Sequence, residues 1–445
     1  MSRQIILLWV FLVMGCASSD TNTETATPGE NSSGIVLLGG KADAWDRLND
    51  PERFAKFLDD DLIYRLAELP LEGTANKEPW PETYWPTYQD STNVRWDGAE
   101  NLSPLEKYDL VFNDWLPPEG FMALQPYSAN CHGEAFDPLY YESLGPAARW
   151  MSENRGNWRA HDGVDNDGDG EIDECDDQDG IARWWGLCHA WTPAALIEDE
   201  PIRAIVYEGV TFYPSDLKAL MITVYDSSRA MVIGGRCKAT QVERDETGRI
   251  IDEYCRDTNA GSFHVITTNF LGRFQVGFAE DRTYDDEVWN QPVHSYKVER
   301  LENIDERQAM ALLHVDFETH TNYPFNPDAK QWADVEISLD YVVESHASRE
   351  PMGPQFSSYL RTDRYHYILE MDEEGRIIGG EWINGRSADE RGRFSEQPDF
   401  LWYPTGPRPN PPSEGPHGPR DPKKNPYVSY AKVLKLFEKA TQPQE

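Results

Sequence analysis

Apolar residues recur at helical spacing in several stretches of the chain. Within residues 45–69, Asp50 and Pro51 form a typical helix start. The apolar positions of that stretch, three or four residues apart for the most part, are Leu48, Phe54, Phe57, Leu58, Leu62 and Leu66. Similar patterns predict three more helices, over residues 138–154, 216–225 and 428–440.

From residue 261 onward the pattern changes to short apolar runs of the kind that form strands. Strands are predicted over residues 263–268, 274–278, 294–298, 312–317, 335–343, 365–371 and 376–382. Residues 372–375 (DEEG) join the last two strands as a hairpin turn. Residues 73–101, dense in Pro and Trp, are predicted to form ordered coil over a surface. Helices followed by strands indicate an α+β fold with a mainly antiparallel sheet.

The N-terminus has the pattern of an export signal. Arg3 precedes an apolar run over residues 5–14, which at about ten residues is too short to span a bilayer. Residues 13–16 (VMGC) resemble a bacterial lipobox in which Cys16 would be lipidated after removal of residues 1–15, and plain signal cleavage is the alternative. Residues 16–40 then form a flexible tether. Ala17 carries no inner-membrane retention signal, so we expect an outer membrane lipoprotein that faces the periplasm or the medium.

Composition limits the class of partner. A hydrophobic content of 39% and an aromatic content of 12% are typical of a folded globular protein. The formal net charge of −37 argues against nucleic-acid binding and against adhesion to anionic membranes through a basic patch. Neutral or basic protein surfaces and divalent cations are better partners, although an acidic surface also simply keeps a protein soluble.

An acidic segment, residues 162–177, has the spacing of a calcium-binding loop. Gly170 stands at the sixth position counted from Asp165, where the chain must turn sharply, and Ile172 can anchor the loop. The candidate oxygen ligands are Asp165, Asp167, Asp169, Glu171, Asp173 and Asp176. Asp176 replaces the bidentate Glu that EF-hands prefer at the twelfth position, which indicates weaker or differently shaped coordination. The alternative is an acidic, solvated turn without metal.

Cys188 is the candidate nucleophile. It follows Gly186 and precedes a helix-forming run with Pro193 in its first turn, so it is placed at a helix N-terminus, where the macrodipole favours a thiolate. A structural, buried cysteine is the alternative. In an oxidising compartment the remaining cysteines pair, and residues 238–254 form a predicted hairpin whose legs bring Cys237 and Cys255 together. A disulfide between Cys131 and Cys175 then follows by elimination, although four cysteines allow other connectivities.

A cysteine nucleophile needs a base and an acceptor that orients it. His264, predicted at a strand start, and Asp281 complete the order Cys, His, Asp of transglutaminase-core enzymes, which papain-like enzymes match apart from the Asn that they use third. His189 adjoins Cys188, but neighbours on a helix do not face each other, so it is assigned to packing or to the substrate side. The alternatives are a strand histidine with a local hydrogen bond for His264 and a turn or cap residue for Asp281. Asn269 and Asp285 compete for the acceptor role.

Residues 288–293 (VWNQPV) resemble the hexapeptide core of the surface elicitor peptide in the oomycete transglutaminases. Tyr296, Lys297 and Val298 fit its continuation, whereas His294 and Ser295 depart from it. Four further blocks are similar to that family: residues 84–87, 140–148, 379–382 and 398–402. The chain therefore resembles the transglutaminase elicitor family over residues 80–404, and the lipobox would make it a bacterial member. The loop at residues 162–177 looks like an insertion into this pattern.

The resemblance implies a papain-like cysteine-enzyme core with Cys188, His264 and Asp281 as the catalytic residues. It implies acyl transfer from a protein glutamine to a lysine through a Cys188 thioester, or deamidation by water. We therefore expect a catalytic domain over residues 41–405, a Pro-rich tail with a last helix over residues 406–445, and calcium as a structural or regulatory ion. A papain-like protease and a non-enzymatic calcium-binding surface lipoprotein are the competing hypotheses.

Overall fold

The computed structural model describes residues 46–58, 60–124, 138–157, 181–236, 242–245, 250–282, 287–383, 394–406 and 424–442. The predicted signal peptide, Cys16 with its predicted tether, and the six candidate calcium ligands lie outside these residues. Cys255 is disulfide-bonded. Its predicted partner Cys237 lies outside the described residues, as do Cys131 and Cys175.

Helices dominate the N-terminal half of the described chain and strands the C-terminal half. The helices are α1 (Glu52–Ala55), α2 (Pro104–Phe112), α3 (Pro138–Ser143), α4 (Pro146–Arg155), α5 (Cys188–Ile197), α6 (Pro214–Tyr225), α7 (Ala260–Thr267), α8 (Glu306–Leu312) and α9 (Tyr430–Thr441). The strands are β1 (Glu72–Thr74), β2 (Ile205–Tyr207), β3 (Val210–Phe212), β4 (Ala230–Ile233), β5 (Ala279–Asp281), β6 (Asn290–Ile304), β7 (Gln331–Val342), β8 (Leu360–Met371), β9 (Ile377–Trp382) and β10 (Phe400–Pro404).

The strands form an antiparallel sheet in the order β4-β10-β5-β6-β7-β8-β9, and β1 also pairs with β6. Side chains alternate between its two faces. Leu401 and Val293 belong to a core that contains α7, whereas Trp402 and Ala279 pack with Cys188 of α5. Helices α5 and α7 therefore lie on opposite faces of the same sheet.

A second core holds the helical half together. It is formed by α2, α4, α5, α6 and α9, with buried side chains such as Tyr108, Trp191 and Phe437. The C-terminal helix α9 packs on α6, and Ile202 donates its backbone N–H to the carbonyl of Ala440. Helix α5 belongs both to this core and to the sheet, so it joins the two halves of the molecule.

Several elements predicted from periodicity are confirmed. The strand predictions at residues 294–298, 335–343, 365–371 and 376–382 fall on β6, β7, β8 and β9. The helices predicted at residues 138–154, 216–225 and 428–440 correspond to α3 with α4, α6 and α9. The mixed helical and antiparallel architecture is thus as expected.

Three strand predictions are wrong. Residues 263–268 lie mostly in α7 and residue 312 ends α8, while residues 274–278 precede β5. All eight residues of α7 are buried, so its apolar run shows no helical period. The signal that was missed is Asn259, whose side chain accepts the backbone N–H groups of Gly261 and Ser262 and caps the helix.

The N-terminal predictions are also corrected. The helical pattern of residues 45–69 yields only the four-residue α1 and a short 3-10 helix at Leu66–Glu68, because the chain turns away after Ala55 to pack Leu62 and Leu66 on the sheet core. Residues 73–101 are not a surface coil throughout, since Trp80 and Trp85 are 2% and 1% exposed. Among the described residues, no helix combines the length and the apolarity needed to cross a bilayer.

Helix α2 was missed although its start carries a capping box. The Ser103 hydroxyl accepts the backbone N–H of Glu106, and the Glu106 carboxylate accepts the backbone N–H of Ser103 at 2.8 Å. Glu106 also binds the Arg95 guanidinium at 3.0 Å and the Tyr140 hydroxyl at 2.9 Å, with both charged side chains buried. This cluster anchors α2 to the preceding segment and to α3.

We predict that Glu106→Gln lowers the free energy of unfolding by about 3 kcal/mol, because it leaves the Arg95 charge buried without its counter-charge. Urea unfolding measures the change. The matched control is Glu299→Gln, which removes an exposed ion pair with Lys297 and should leave the urea midpoint unchanged. An unchanged midpoint in Glu106→Gln would contradict the anchoring role.

Candidate active site

Cys188 is the first residue of α5, and its thiol is not part of a disulfide, as predicted. The residue is only 1% exposed. The unpaired N–H groups and the macrodipole of a helix N-terminus stabilise a thiolate at this position. Pro193 lies in the second turn and not in the first, and its missing N–H leaves the carbonyl of His189 without its helical donor.

The turn before Cys188 is held against the segment that contains Tyr84. The backbone N–H of Leu187 binds the Tyr84 carbonyl at 2.6 Å, and the N–H of Thr87 binds the Trp185 carbonyl at 2.9 Å. A Cβ on Gly186 would lie 2.5 Å from the Tyr84 ring, so no other residue fits without a shift. The glycine two residues before the cysteine is therefore explained by this close approach.

The thiol faces the start of β6. Its sulfur lies 3.7 Å from the Val288 carbonyl oxygen and 3.5 Å from Nδ2 of Asn290. Ala279, Phe400 and Trp402 complete the small apolar cluster around the sulfur. The Cys188 thiol therefore lies in a largely apolar cluster between a helix start and the sheet.

His189 links the thiol to a buried carboxylate. Its Nε2 lies 2.8 Å from Oδ1 of Asp226, the residue that follows α6, and the other oxygen of Asp226 binds Arg155 at 2.9 Å. Nδ1 of the ring is buried and has no other side-chain acceptor in normal hydrogen-bond geometry within the described chain. The Cys188 side chain is close enough to interact with the ring.

The charges in this cluster favour an imidazolium. Burial lowers the pKa of His189, but hydrogen bonds to Asp226 and to Cys188 outweigh this effect, so the pKa lies above its usual value. Burial raises the pKa of Asp226, but Arg155 and then His189 outweigh it, and the pKa lies below its usual value. Asp226 is therefore ionised near neutral pH, and a protonated His189 beside Cys188 favours the thiolate.

From the sequence, His189 was assigned to packing or to the substrate side, and no local pattern singled out Asp226 or Arg155. The i,i+1 rule holds for side chains in the body of a helix, whereas His189 occupies the first turn and leans toward the end of α6. Asp226 reaches the site only because α5 packs on α6, a contact that neither residue's local sequence encodes.

His264 is placed on the other side of the sheet from Cys188. It lies in α7 and not at a strand start, it is 1% exposed, and its Nδ1 lies 2.8 Å from the Tyr367 hydroxyl. Burial lowers the pKa of His264 to about 3, so the ring is neutral near pH 7. No hydrogen bond between its ring and Cys188 occurs within the described residues.

Asp281 lies on the same face as Cys188. It pairs in register with Asn290, and its Oδ1 accepts the backbone N–H of Trp289 at 2.9 Å. The structure thus brings Asp281 close to the thiol pocket but does not join it to His264. The competing candidate Asn269 binds the backbone of Ile63 and Val265, and Asp285 lies outside the described residues.

The hexapeptide at residues 288–293 is largely buried. Val288, Asn290, Gln291 and Val293 are each no more than 2% exposed, so only part of this segment can face solvent. The ring of Trp289 meets Tyr84 edge-on with centroids 5.9 Å apart, on the rim of the thiol pocket. Trp184 packs against the cluster around Cys188, whereas Trp191 donates to the Trp80 carbonyl at 3.0 Å inside the helical core.

This combination of a helix-start cysteine and a buried hexapeptide agrees with comparisons to known proteins. Residues 50–123 and 161–442 match the transglutaminase elicitor family, which covers most of the chain. The chain belongs to this family. The match supports a transglutaminase-type function at the level of the family.

A solved structure supports the same conclusion for the fold. The GP42 transglutaminase from Phytophthora sojae is 27% identical to this chain, with a TM-score of 0.62 over 89% of this chain and 98% of that one. No curated protein was similar enough to count as a match. The family resemblance inferred from residues 288–293 is thereby confirmed.

Within the described residues, the side chains that could bind a metal ion do not form clusters. No group of three or more His, Cys, Asp or Glu side chains is arranged to hold a metal ion in that part of the chain. The predicted calcium ligands, Asp165, Asp167, Asp169, Glu171, Asp173 and Asp176, lie outside it.

We predict that Asp226→Asn lowers the pKa of His189 by about one unit or more, because the carboxylate that favours the imidazolium is removed. Histidine NMR titration measures this shift directly. Asp340→Asn is the control, since that carboxylate accepts hydroxyls from Ser295 and Thr362 on the exposed sheet face. If the pKa of His189 is unchanged in folded Asp226→Asn, the Asp226 carboxylate does not stabilise the His189 imidazolium.

Proposed function

We propose that this protein is a protein-glutamine γ-glutamyltransferase that works through a Cys188 thioester. The observation that carries the proposal is a free, helix-start cysteine that interacts with the His189–Asp226 pair in a member of a transglutaminase family. A cysteine core of the papain type, with the nucleophile between a helix start and a sheet, fits this arrangement.

In the first step the Cys188 thiolate attacks the side-chain carbonyl carbon of a protein glutamine. The backbone N–H of Cys188 stabilises the negative charge that develops on the carbonyl oxygen. The C–N bond then breaks, and the protonated His189 gives its proton to the departing ammonia. Asp226 holds the ring in place and stabilises its charge, while Arg155 holds Asp226. The product is a thioester on Cys188.

In the second step a lysine amine attacks the thioester carbon. His189, now neutral, takes the proton from the amine, and the C–S bond breaks to regenerate the thiolate. The result is an isopeptide crosslink, whereas attack by water would give glutamate instead. The apolar surroundings of Cys188 and the aromatic rim of Tyr84 and Trp289 favour the amine by limiting water. The net charge of −37 attracts lysine-bearing partners.

The base is assigned to His189 because His264 lies on the opposite face of the sheet and keeps a neutral, Tyr367-bonded ring. The triad Cys188, His264 and Asp281 inferred from the order of residues is the competing assignment. It would require Cys188 and Asp281 to reach the face of the sheet that α7 covers. Variants of the two histidines distinguish the assignments.

Ammonia release and the incorporation of a labelled primary amine into a glutamine-rich protein test the proposal. We expect Cys188→Ser to abolish both, and His189→Gln to lower kcat roughly 10²- to 10⁴-fold through loss of proton transfer. His264→Gln should retain activity in proportion to its folded fraction, measured by circular dichroism. A large loss in folded His264→Gln with activity kept in His189→Gln would reverse the assignment.

Two other functions predict different outcomes in the same assay. A papain-like protease uses the same residues but cleaves peptide bonds, so it would shorten the substrate without releasing ammonia. A non-enzymatic calcium-binding surface protein would do neither, and Cys188 would resist iodoacetamide in the folded state. Amine incorporation that depends on Cys188 excludes both alternatives.

We also propose that the loop at residues 162–177 binds calcium. Carboxylates at alternate positions around Gly170 supply the hard oxygen donors that calcium prefers, and their mutual repulsion is relieved by a cation. Ten residues separate the end of this loop from Cys188 in the sequence.

We expect calcium to raise the melting temperature of the wild-type protein and to bind with measurable heat in calorimetry. Replacing Asp167 and Asp169 by Asn together should abolish both effects, because two charged ligands are lost. The double variant Asp372→Asn and Glu373→Gln, in the turn before β9, is the control for charge alone. If calorimetry gives equal heats of calcium binding for the two double variants, the loop at residues 162–177 is not the calcium site.

A further inference from the structure

The side chain of Asn290 donates a hydrogen bond to the Cys188 sulfur. Its Nδ2 lies 3.5 Å from Sγ, and the residue is 2% exposed. It is the first residue of β6, on the face of the sheet that α5 covers. Its chemistry is that of an uncharged amide, with two N–H donors at one end and an acceptor at the other.

The orientation of this amide is determined by a tryptophan. Nε1 of Trp402 lies 2.8 Å from Oδ1 of Asn290. An indole N–H can only donate, so the oxygen end of the amide must face Trp402 and the NH₂ end must face the sulfur. The reverse orientation would set two donors against each other and leave the sulfur facing an oxygen.

The backbone of Asn290 is also held in place, by contacts on both of its sides. Its carbonyl accepts the Thr192 hydroxyl at 3.0 Å, from the second turn of the helix that begins with Cys188. It pairs in register with Asp281 of β5 on its other side. Thiol and amide are thus fixed to the same pair of elements, which is the condition for a preorganised electrostatic site.

We propose that Asn290 supplies the second donor of the oxyanion hole and that Trp402 is the positioning residue that points this donor at the reacting centre. This inference rests on the proposed acyl transfer at Cys188. When the thiolate attacks, the oxyanion forms on the carbon bonded to Sγ, so a donor that already touches the sulfur reaches that oxygen with a small rotation. The backbone N–H of Cys188 supplies the other donor.

The same contact acts before substrate binds. An N–H donor directed at the sulfur stabilises the thiolate, and the neutral amide adds no charge that would compete with His189. A carboxylate at this position would instead repel the thiolate. At this position an uncharged Asn is therefore favoured over a charged Asp, although the two side chains have nearly the same shape.

The experiment compares Asn290→Ala, Asn290→Asp and Trp402→Phe with the wild-type protein in two assays. Amine incorporation gives kcat and KM, and the pH of half-maximal alkylation by iodoacetamide reports the thiolate without any catalysis. Trp115→Phe is the matched control, because it removes an indole hydrogen bond to the backbone carbonyl of Ser143. Melting temperatures identify variants that fail to fold.

We expect kcat to fall about 10²- to 10³-fold in Asn290→Ala with little change in KM, the size of effect seen when one oxyanion donor is removed. Trp402→Phe should lose about tenfold, because the amide is kept but can turn. Alkylation should require a higher pH in Asn290→Asp and Trp402→Phe, and Trp115→Phe should match the wild type in both assays.

A folded Asn290→Ala protein with kcat within about threefold of wild type would overturn the oxyanion role. Failure of the proposed function looks different: the wild type itself would release no ammonia. In that case the alkylation profiles still decide whether the amide contacts the thiolate, since unchanged profiles in Asn290→Asp and Trp402→Phe would refute the contact.

Discussion

The docking of the start of α5 onto the start of β6 is the contact on which the rest of the site depends. Thr192 binds the carbonyl of Asn290, and Asn290 binds the Cys188 sulfur, so helix and strand hold each other at two points one turn apart. The thiol is buried by the same contact that positions it. A shift of α5 or β6 would change the hydrogen-bond donors to the thiol, the packing around the thiol and the access of substrate to it, all at once.

The two cores of the molecule support this contact from different directions. The sheet core holds β6 between β5 and β7, while the helical core holds α5 against α6 and thereby brings Asp226 to His189. The Cys188 thiol therefore lies where the two halves meet. Its His189–Asp226 neighbours come from the helical half and its amide donor from the sheet half, so the proposed proton transfer and the proposed charge stabilisation are separated in space.

The position of His264 shows what residue order alone could not predict. A histidine within an apolar run was compatible with a strand beside Cys188, and the order Cys, His, Asp resembled that of known enzymes. In the structure the run is a fully buried helix across the sheet, and Tyr367 satisfies the ring. Buried apolar helices and strands share a composition, so the periodicity that separates them elsewhere was absent here.

The sequence by itself determined the family and most of the long strands, and it singled out Cys188 as the candidate nucleophile. Gly186, Cys188 and the hexapeptide at residues 288–293 are local signals, and β6 to β9 have patterns strong enough to identify without neighbours. Only the tertiary structure decided which histidine, carboxylate and amide meet the thiol. Asp226, Asn290 and Trp402 reach it through helix packing and strand register, which are set by contacts between residues far apart in the chain and leave no local pattern to detect.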